Sequence, residues 1–415
     1  MRAAGGLLAL TLFAAGCGHG ALVPVGPNGE RSWRTSIPHA PQYAVIYRFG
    51  GGKDGYEPQA TLAVDASGTM YGTTTQGGNG QNDGTVFKIT PSGKKTTLYA
   101  FKGGPDGASP IGGLIVDGKG NLFGTTSAEA STSCPYGCGT VFELEKTAAH
   151  YREKVLYRFG TAPDGSTPYG TLVNVNGVLF GTTVAGGTGN GTVFKLTPAG
   201  GGYKESVLWR FAGGSKDGAK PFAGLTPANG TFYGTTIEGG NANDGTIFSI
   251  TQSGKKKVLY NFQGSTLDSF APHDAPLAIR GRLYGTAASG GAQNAGTVFR
   301  YKSGHEKILY AFETNSTSDG QTPTATPIAI NGAFYGTTED GGGTAYGYGA
   351  VYKLVPAAGG KYAETLLHAF GTTQTDGLSA TAGLTPYKGY LYGVTRFGGG
   401  TSCSQGCGTF FKIKP

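Results

Sequence analysis

Apolar and aromatic residues along the chain come in short runs, each closed by Gly, Asp, Asn or Pro. Runs of this length, rich in β-branched and aromatic side chains, predict strands. No window combines a 3.6-residue period with capping residues, so helices are not expected. Four kinds of run recur in a fixed order. Strand A is a short apolar stretch such as Gly112 to Val116. Strand B reads aromatic-Gly-Thr-Thr, strand C Gly-Thr-Val-Phe and strand D Leu-Tyr-x-Phe. An Asp-Gly-x-x-Pro turn, such as Asp106 to Pro110, then leads to the next strand A.

The aromatic-Gly pair marks the period: Tyr71-Gly72, Phe123-Gly124, Phe180-Gly181, Tyr233-Gly234, Tyr284-Gly285, Tyr335-Gly336 and Tyr392-Gly393, with glycines 51 to 57 residues apart. Four antiparallel strands per repeat describe the blade of a β-propeller. Each strand type occurs seven times, but out of phase. The first strand is a lone D, Val45 to Phe49, and the last is a C, Gly408 to Ile413. Pairing these two completes a seventh sheet and closes a ring, whereas an open solenoid gains nothing from the offset. The predicted fold is an all-β seven-bladed β-propeller over residues 43–415. Small residues at Ala60, Gly112, Gly170, Ala223, Ala325 and Ala382 fit the crowded start of strand A near the axis.

Composition narrows the class. Gly (77) and Pro (21) in 415 residues are about double the usual share, without the period of collagen. The 38% hydrophobic content and 22 Phe, 23 Tyr and 2 Trp exclude a disordered low-complexity chain. A net charge of +8 from scattered Lys and Arg, with no recognition helix, argues against nucleic acid as a partner.

Residues 1–17 read as an export signal: a basic start, an apolar run from Ala3 to Ala15, and then Ala14-Ala15-Gly16-Cys17. This end resembles a lipobox, with Ala14 where Leu is usual. Cys17 is therefore expected to carry the lipid that holds an exported protein on a membrane. Gly18, where Asp would retain the protein at the inner membrane, favours the outer membrane or cell surface; the alternative is plain secretion. Residues 18–42, with Pro24, Pro27, Pro38 and Pro41, read as a tether. The remaining cysteines form two pairs, Cys134/Cys138 and Cys403/Cys407, each in the frame Ser-Cys-x-x-Gly-Cys-Gly. In an exported protein these read as two local disulfides. No His lies near them in sequence for zinc, and the spacing is not C-x-x-C.

The combination of Gly191 to Pro198 (Gly-Thr-Val-Phe-Lys-Leu-Thr-Pro), Leu98 to Gly107 (Leu-Tyr-x-Phe-x-Gly-Gly-x-Asp-Gly) and the aromatic-Gly-Thr-Thr strands resembles the GloVer tandem-repeat exported bacterial proteins, also labelled extracellular repeat proteins. The two cysteine loops resemble loops of that family. The resemblance covers residues 43–415 and implies export and surface anchoring. It supplies no catalytic residue and no substrate. The fifth repeat departs most, with Asp268-Ser269 in place of Asp-Gly and Ala287 in place of the second Thr.

In a propeller the D-to-A and B-to-C connections share one face. Here the B-to-C loops are long and Gly/Asn-rich, so that face is the expected functional one. The turn aspartates Asp54, Asp106, Asp164, Asp217, Asp268, Asp319 and Asp376 read as turn formers. Calcium is set aside because no repeat shows further carboxylates nearby. Residues that break the repeat are better candidates for a ligand. His273 and Asp274 stand at the start of a strand A, where the other repeats carry Ala or Gly at the Asp position. Glu238, Glu339, Asp340, Tyr136, Tyr346 and Tyr348 lie on B-to-C loops, the tyrosines suited to stacking on sugar rings. Lys94-Lys95 and Lys255 to Lys257 are expected as a solvated basic rim on the opposite face, or as a contact for anionic lipid or polysaccharide. The expected protein is a monomer without metal or cofactor, a non-catalytic scaffold binding envelope polysaccharide or a surface protein. The alternatives are a carbohydrate hydrolase or lyase using His273 and Asp274 with a loop carboxylate, and a purely structural envelope protein.

Overall fold

A contact between one ring and one glycine shapes every blade. The Phe of strand C (Tyr352 in blade 6) lays its ring tip on the glycine of strand B: a Cβ on Gly72 would stand 2.7 Å from Phe87, on Gly181 2.5 Å from Phe194, and on Gly393 2.4 Å from Phe411. A Cβ there would displace the ring, which explains the aromatic-Gly motif. The computed structural model describes residues 42–128, 137–314, 319–343 and 347–415. Cys17, the tether up to residue 41, Cys134, Tyr136 and Tyr346 lie outside them, and so does the expected Cys134–Cys138 pairing.

Gln42–Pro415 holds seven four-stranded antiparallel sheets. Blade 3 is representative, with A at Val173–Val175, B at Val178–Thr183, C at Thr192–Ala199 and D at Gly202–Arg210. The only helical pieces among the described residues are short 3₁₀ turns. Blade 7 takes A, B and C from Thr385–Tyr387, Tyr390–Thr395 and Thr409–Ile413. Its fourth strand is Tyr43–Arg48, paired antiparallel to Thr409–Ile413. The Cys403–Cys407 disulfide (Cα–Cα 5.2 Å) packs beside this junction, both sulfurs lying against Gly51.

The core is a set of wedges between blades. The last Phe of each strand D meets the strand C ring of the next blade edge-to-face, as in Phe101–Phe142 (5.1 Å), Phe211–Phe248 (5.2 Å) and Phe312–Tyr352 (5.3 Å). Phe49–Phe87 (5.2 Å) makes the same contact between blades 7 and 1. Such pairs add about 0.5–1.5 kcal/mol each beyond their burial. Nearer the axis, the first Thr of strand B reaches the next blade: Thr235 donates to the Asp274 carbonyl (3.0 Å) and Thr337 to that of Ala382 (2.8 Å). The close approach expected of strand A is real, since a Cβ on Gly170 would lie 2.3 Å from the Gly224 nitrogen.

A further joint was not foreseen. The residue after Asp-Gly-x is left-handed in every blade: Glu57, Ser109, Thr167, Lys220, Ala271, Thr322 and Ser379, with φ between 52° and 59°. For a residue other than Gly this is strained, and it persists because both backbone groups are used. The Lys220 N–H donates to Asn190 of the preceding blade (2.9 Å), while its carbonyl accepts from Ile237 (3.2 Å). Glu57 does the same with Cys407 (3.1 Å) and Thr75 (3.2 Å), so blade 1 is stitched to blade 7.

Two expectations give way at the turn aspartates. These do serve their own turns: Asp164 accepts from the N–H groups of Gly160 (2.8 Å) and Gly165 (2.7 Å). They also anchor an aromatic tip of the preceding strand D, such as Tyr157 (3.0 Å) or Trp209 (3.1 Å). However, a charged side chain from the blade's own strand D faces most of them. Lys95 and Lys256, read from sequence as part of a solvated rim, have side chains 2% exposed and pair with Asp54 and Asp217. Strand alternation turns them inward, whereas their neighbours Lys94, Lys255 and Lys257 are exposed. In blades 2, 3, 5 and 6 the same position is Glu153, Glu205, Glu306 or Glu364, so those repeats do supply a second carboxylate. It comes from a strand some 40 residues further on, out of view in a local reading.

Candidate functional site

The residue five positions after each turn aspartate, following a proline in six blades and Ala380 in blade 7, looks into the mouth of the central channel. Around the ring these are Gln59, Ile111, Tyr169, Phe222, His273, Thr324 and Thr381, and all seven line one cavity of about 310 Å³. Its floor is the tight start of strand A, including Gly112, Gly170 and Ala223. The two sides differ. Blades 3 to 5 present an aromatic arc, with Tyr169 and Phe222 edge-to-face at 5.1 Å and Phe222 and His273 tilted at 5.6 Å. Blades 6, 7 and 1 present Thr324, Thr381 and Gln59. The Thr381 hydroxyl is buried and has no protein partner.

Two loop side chains complete the wall, Glu339 and Arg396. The Arg396 guanidinium donates twice to Glu57 Oε2 (3.0 Å each) and stacks over Phe397 (4.7 Å). This fixes a charged group at the rim between blades 7 and 1. Burial, with Asp340 adding to it, raises the Glu339 carboxyl above its ordinary value, opposed by Arg396 and by a long bond from Ser379 (3.4 Å).

His273 lies in the aromatic arc. Burial pushes its pKa down, which favours the uncharged ring. Asp274 also borders the cavity, but its carboxylate accepts the N–H groups of Ala275 (2.8 Å) and Thr326 (2.9 Å), tying blade 5 to blade 6. Burial raises its pKa against these two donors. It makes no hydrogen bond to His273, so the pair is not arranged as a base and its orienting acid.

The remaining candidates scatter. Glu238 pairs with Lys220 (2.6 Å) and does not line the cavity. Asp340 and Tyr348 line a second groove of about 780 Å³ between the loops of blades 6 and 7, beside Phe397 and Cys403, and Glu339 borders both spaces. Among the described residues, no cluster of three or more His, Cys, Asp or Glu is placed to hold a metal. Tyr169, Phe222 and Arg396 were missed from sequence. For the two aromatics the signal was available, because the residue five after the turn aspartate varies from blade to blade while its neighbours repeat.

These features define a seven-bladed β-propeller with a half-aromatic, half-polar funnel on its loop face. The profile of the Gloeobacter/Verrucomicrobia repeat matches residues 29–226, 131–278 and 188–411, and the chain belongs to that family. No sequence among curated proteins matches it. In shape it is similar to an ancestral GH74 enzyme (TM-score 0.55, 11% identity, 87% of this chain and 48% of that one). It is equally similar to the extracellular domain of a putative one-component system from B. thetaiotaomicron (0.55, 10%, 89% and 40%). The chain thus spans half or less of the length of these two. The PQQ-bound aldose sugar dehydrogenase of Streptomyces coelicolor aligns over 90% of this chain and 97% of its own, at 13% identity and a TM-score of 0.43. At such identities the likeness is one of fold.

Proposed function

We propose that the protein is an exported, lipid-anchored binding scaffold that holds a sugar chain of the cell envelope in the channel mouth, without turning it over. The split character of the ring carries this reading. A pyranose has apolar C–H faces and a polar hydroxyl edge, and the mouth sets Tyr169, Phe222 and His273 opposite Thr324, Thr381 and Gln59. The commitment of Asp274 to backbone N–H groups weighs against the hydrolase or lyase reading.

Binding of purified protein to a panel of bacterial envelope polysaccharides by calorimetry tests this. Phe222→Ala is expected to weaken the best ligand by about tenfold, the effect of losing one stacked ring of roughly 1.4 kcal/mol. No retention across the panel, or equal affinity in Phe222→Ala, would count against it. Cys17→Ser should move the protein from the membrane to the soluble fraction. If it stays in the membrane, the anchor is elsewhere.

A further inference from the structure

The seven turn aspartates occupy one repeated environment. Each accepts a ring donor from the preceding strand D and faces one side chain from the strand D of its own blade, four residues before that strand's aromatic. The facing residue is Lys95, Glu153, Glu205, Lys256, Glu306, Glu364 or Tyr43. In blade 7 the node is closed by a neutral group, as Tyr43 donates to Asp376 (2.7 Å).

In blades 1 and 4 a cation fills the node. Lys95 Nζ donates to Asp54 Oδ1 (2.6 Å), to the Asp54 carbonyl and to Thr97 Oγ1 (3.0 Å), and lies 5.6 Å and 5.7 Å from the Phe49 and Phe87 centroids. Lys256 binds Asp217 in the same way, over Trp209 (5.3 Å) and Phe211 (5.2 Å). The ring faces and the aspartate both favour positive charge there.

Blades 2, 3 and 6 keep the aspartate and the rings but supply Glu. Glu153 Oε1, Glu205 Oε1 and Glu364 Oε1 are buried with no hydrogen-bond partner. In blade 6 the aspartate is short of a partner too: Asp319 is 3% exposed, and its Oδ1 has none. In blade 6 both carboxylates leave a desolvated oxygen unused, and in blades 2 and 3 the Glu alone does, since Asp106 and Asp164 have both oxygens hydrogen-bonded; an unused carboxylate oxygen beside aromatic rings suits a cation. Blade 5 is the exception, because Ser269 donates to Glu306 Oε1 (2.8 Å).

We propose that the Glu–Asp nodes of blades 2, 3 and 6 bind a hard divalent cation of the Ca²⁺ type, in the place that a lysine ammonium takes in blades 1 and 4. Two carboxylates per node suit hard, oxygen-loving ions. Backbone carbonyl and water would fill the remaining positions, which favours weak binding of the order of 10⁻⁴–10⁻³ M, as in extracellular modules. The proposal is independent of what the channel mouth holds.

The test uses chelator-treated full-length protein titrated with CaCl₂, counting bound ions by calorimetry and following thermal melting in Ca²⁺ and in EDTA. Wild type is expected to take up Ca²⁺ saturably and to melt a few degrees higher with it. Glu364→Lys is expected to bind one ion fewer and to melt above wild type in EDTA, because its ammonium is built in. Glu364→Gln should lose the same ion without that gain in EDTA, and it carries the count if Glu364→Lys fails to fold. The idea is overturned if wild type takes up no ion, or if uptake is unchanged in these variants. Shared protons would then be what reconciles the carboxylates.

Discussion

Blades 3 and 5 solve the same packing problem with their residues exchanged. In blade 3, Thr183 holds the centre of the sheet: its hydroxyl meets Thr192 Oγ1 (2.8 Å) and donates to the Ala185 carbonyl (2.9 Å). Gly165 lies against it, and a Cβ there would stand 2.5 Å from that hydroxyl. In blade 5 the Thr is Ala287 and the Gly is Ser269. The hydroxyl now comes from Ser269, which meets Thr297 Oγ1 (2.7 Å) and donates to Glu306 (2.8 Å). What the fold keeps is one hydroxyl at one point in space, supplied from either side of the turn. The two departures seen in the fifth repeat are a single compensated change. It has a by-product: blade 5 has a donor for its buried glutamate and blade 3 does not.

The largest expected effect comes from breaking the exchange halfway. Gly165→Ser in blade 3 should cost roughly 2 kcal/mol by overpacking against Thr183 and Thr192. Adding Thr183→Ala should recover most of it, since the pair then copies blade 5. Urea unfolding of the single and double variants measures the coupling; additive losses would mean that the two positions are independent. Less is expected from Ser269→Gly in blade 5, about 1–2 kcal/mol, as Thr297 and Glu306 lose a buried partner. Restoring Thr with Ala287→Thr in the same chain should recover the Thr297 bond but not that to Glu306. An unchanged Ser269→Gly melt would show that the hydroxyl is idle.

Acidity gives the smallest effect. Burial and the neighbouring Asp164 raise Glu205 to about 7, and burial raises Glu306 to about 8 despite the Ser269 bond. Both stand above the value of an unfolded chain near 4.5, so their stabilising contribution is complete below that pH. It is lost as pH rises, by about 7 for Glu205 and about 8 for Glu306. In chelator, melting temperature should therefore be lower at pH 8 than at pH 5. Glu205→Gln should flatten the lower part of that slope and Glu306→Gln the upper part. A melt independent of pH would mean that these carboxyls are solvated.

The scaffold was legible because each blade repeats what local sequence shows, a ring after a glycine or a Thr facing a Thr, and because the first and last strands were out of phase. The aspartate nodes were not, since each draws on two strands D separated by a whole repeat. Lys95 and Lys256 were obscured by exposed lysine neighbours, although alternation along the strand places them inward. His273 was noticed because Asp274 beside it broke the pattern. Tyr169 and Phe222 were not, because aromatics are common throughout this chain and only a comparison of the same position across all seven repeats singles out those that face the channel.

The stitch between Glu57 and Cys407 sets an order of events for a newly made chain. Tyr43 to Arg48 emerges near the beginning and finds its hydrogen-bonding mate only when Thr409 to Ile413 has followed it out, some 360 residues later. Until then the first and last wedges lack one wall each. The ring therefore cannot close before its last strand is made, and removing Thr409 to Ile413 would leave Tyr43 to Arg48 unpaired as well.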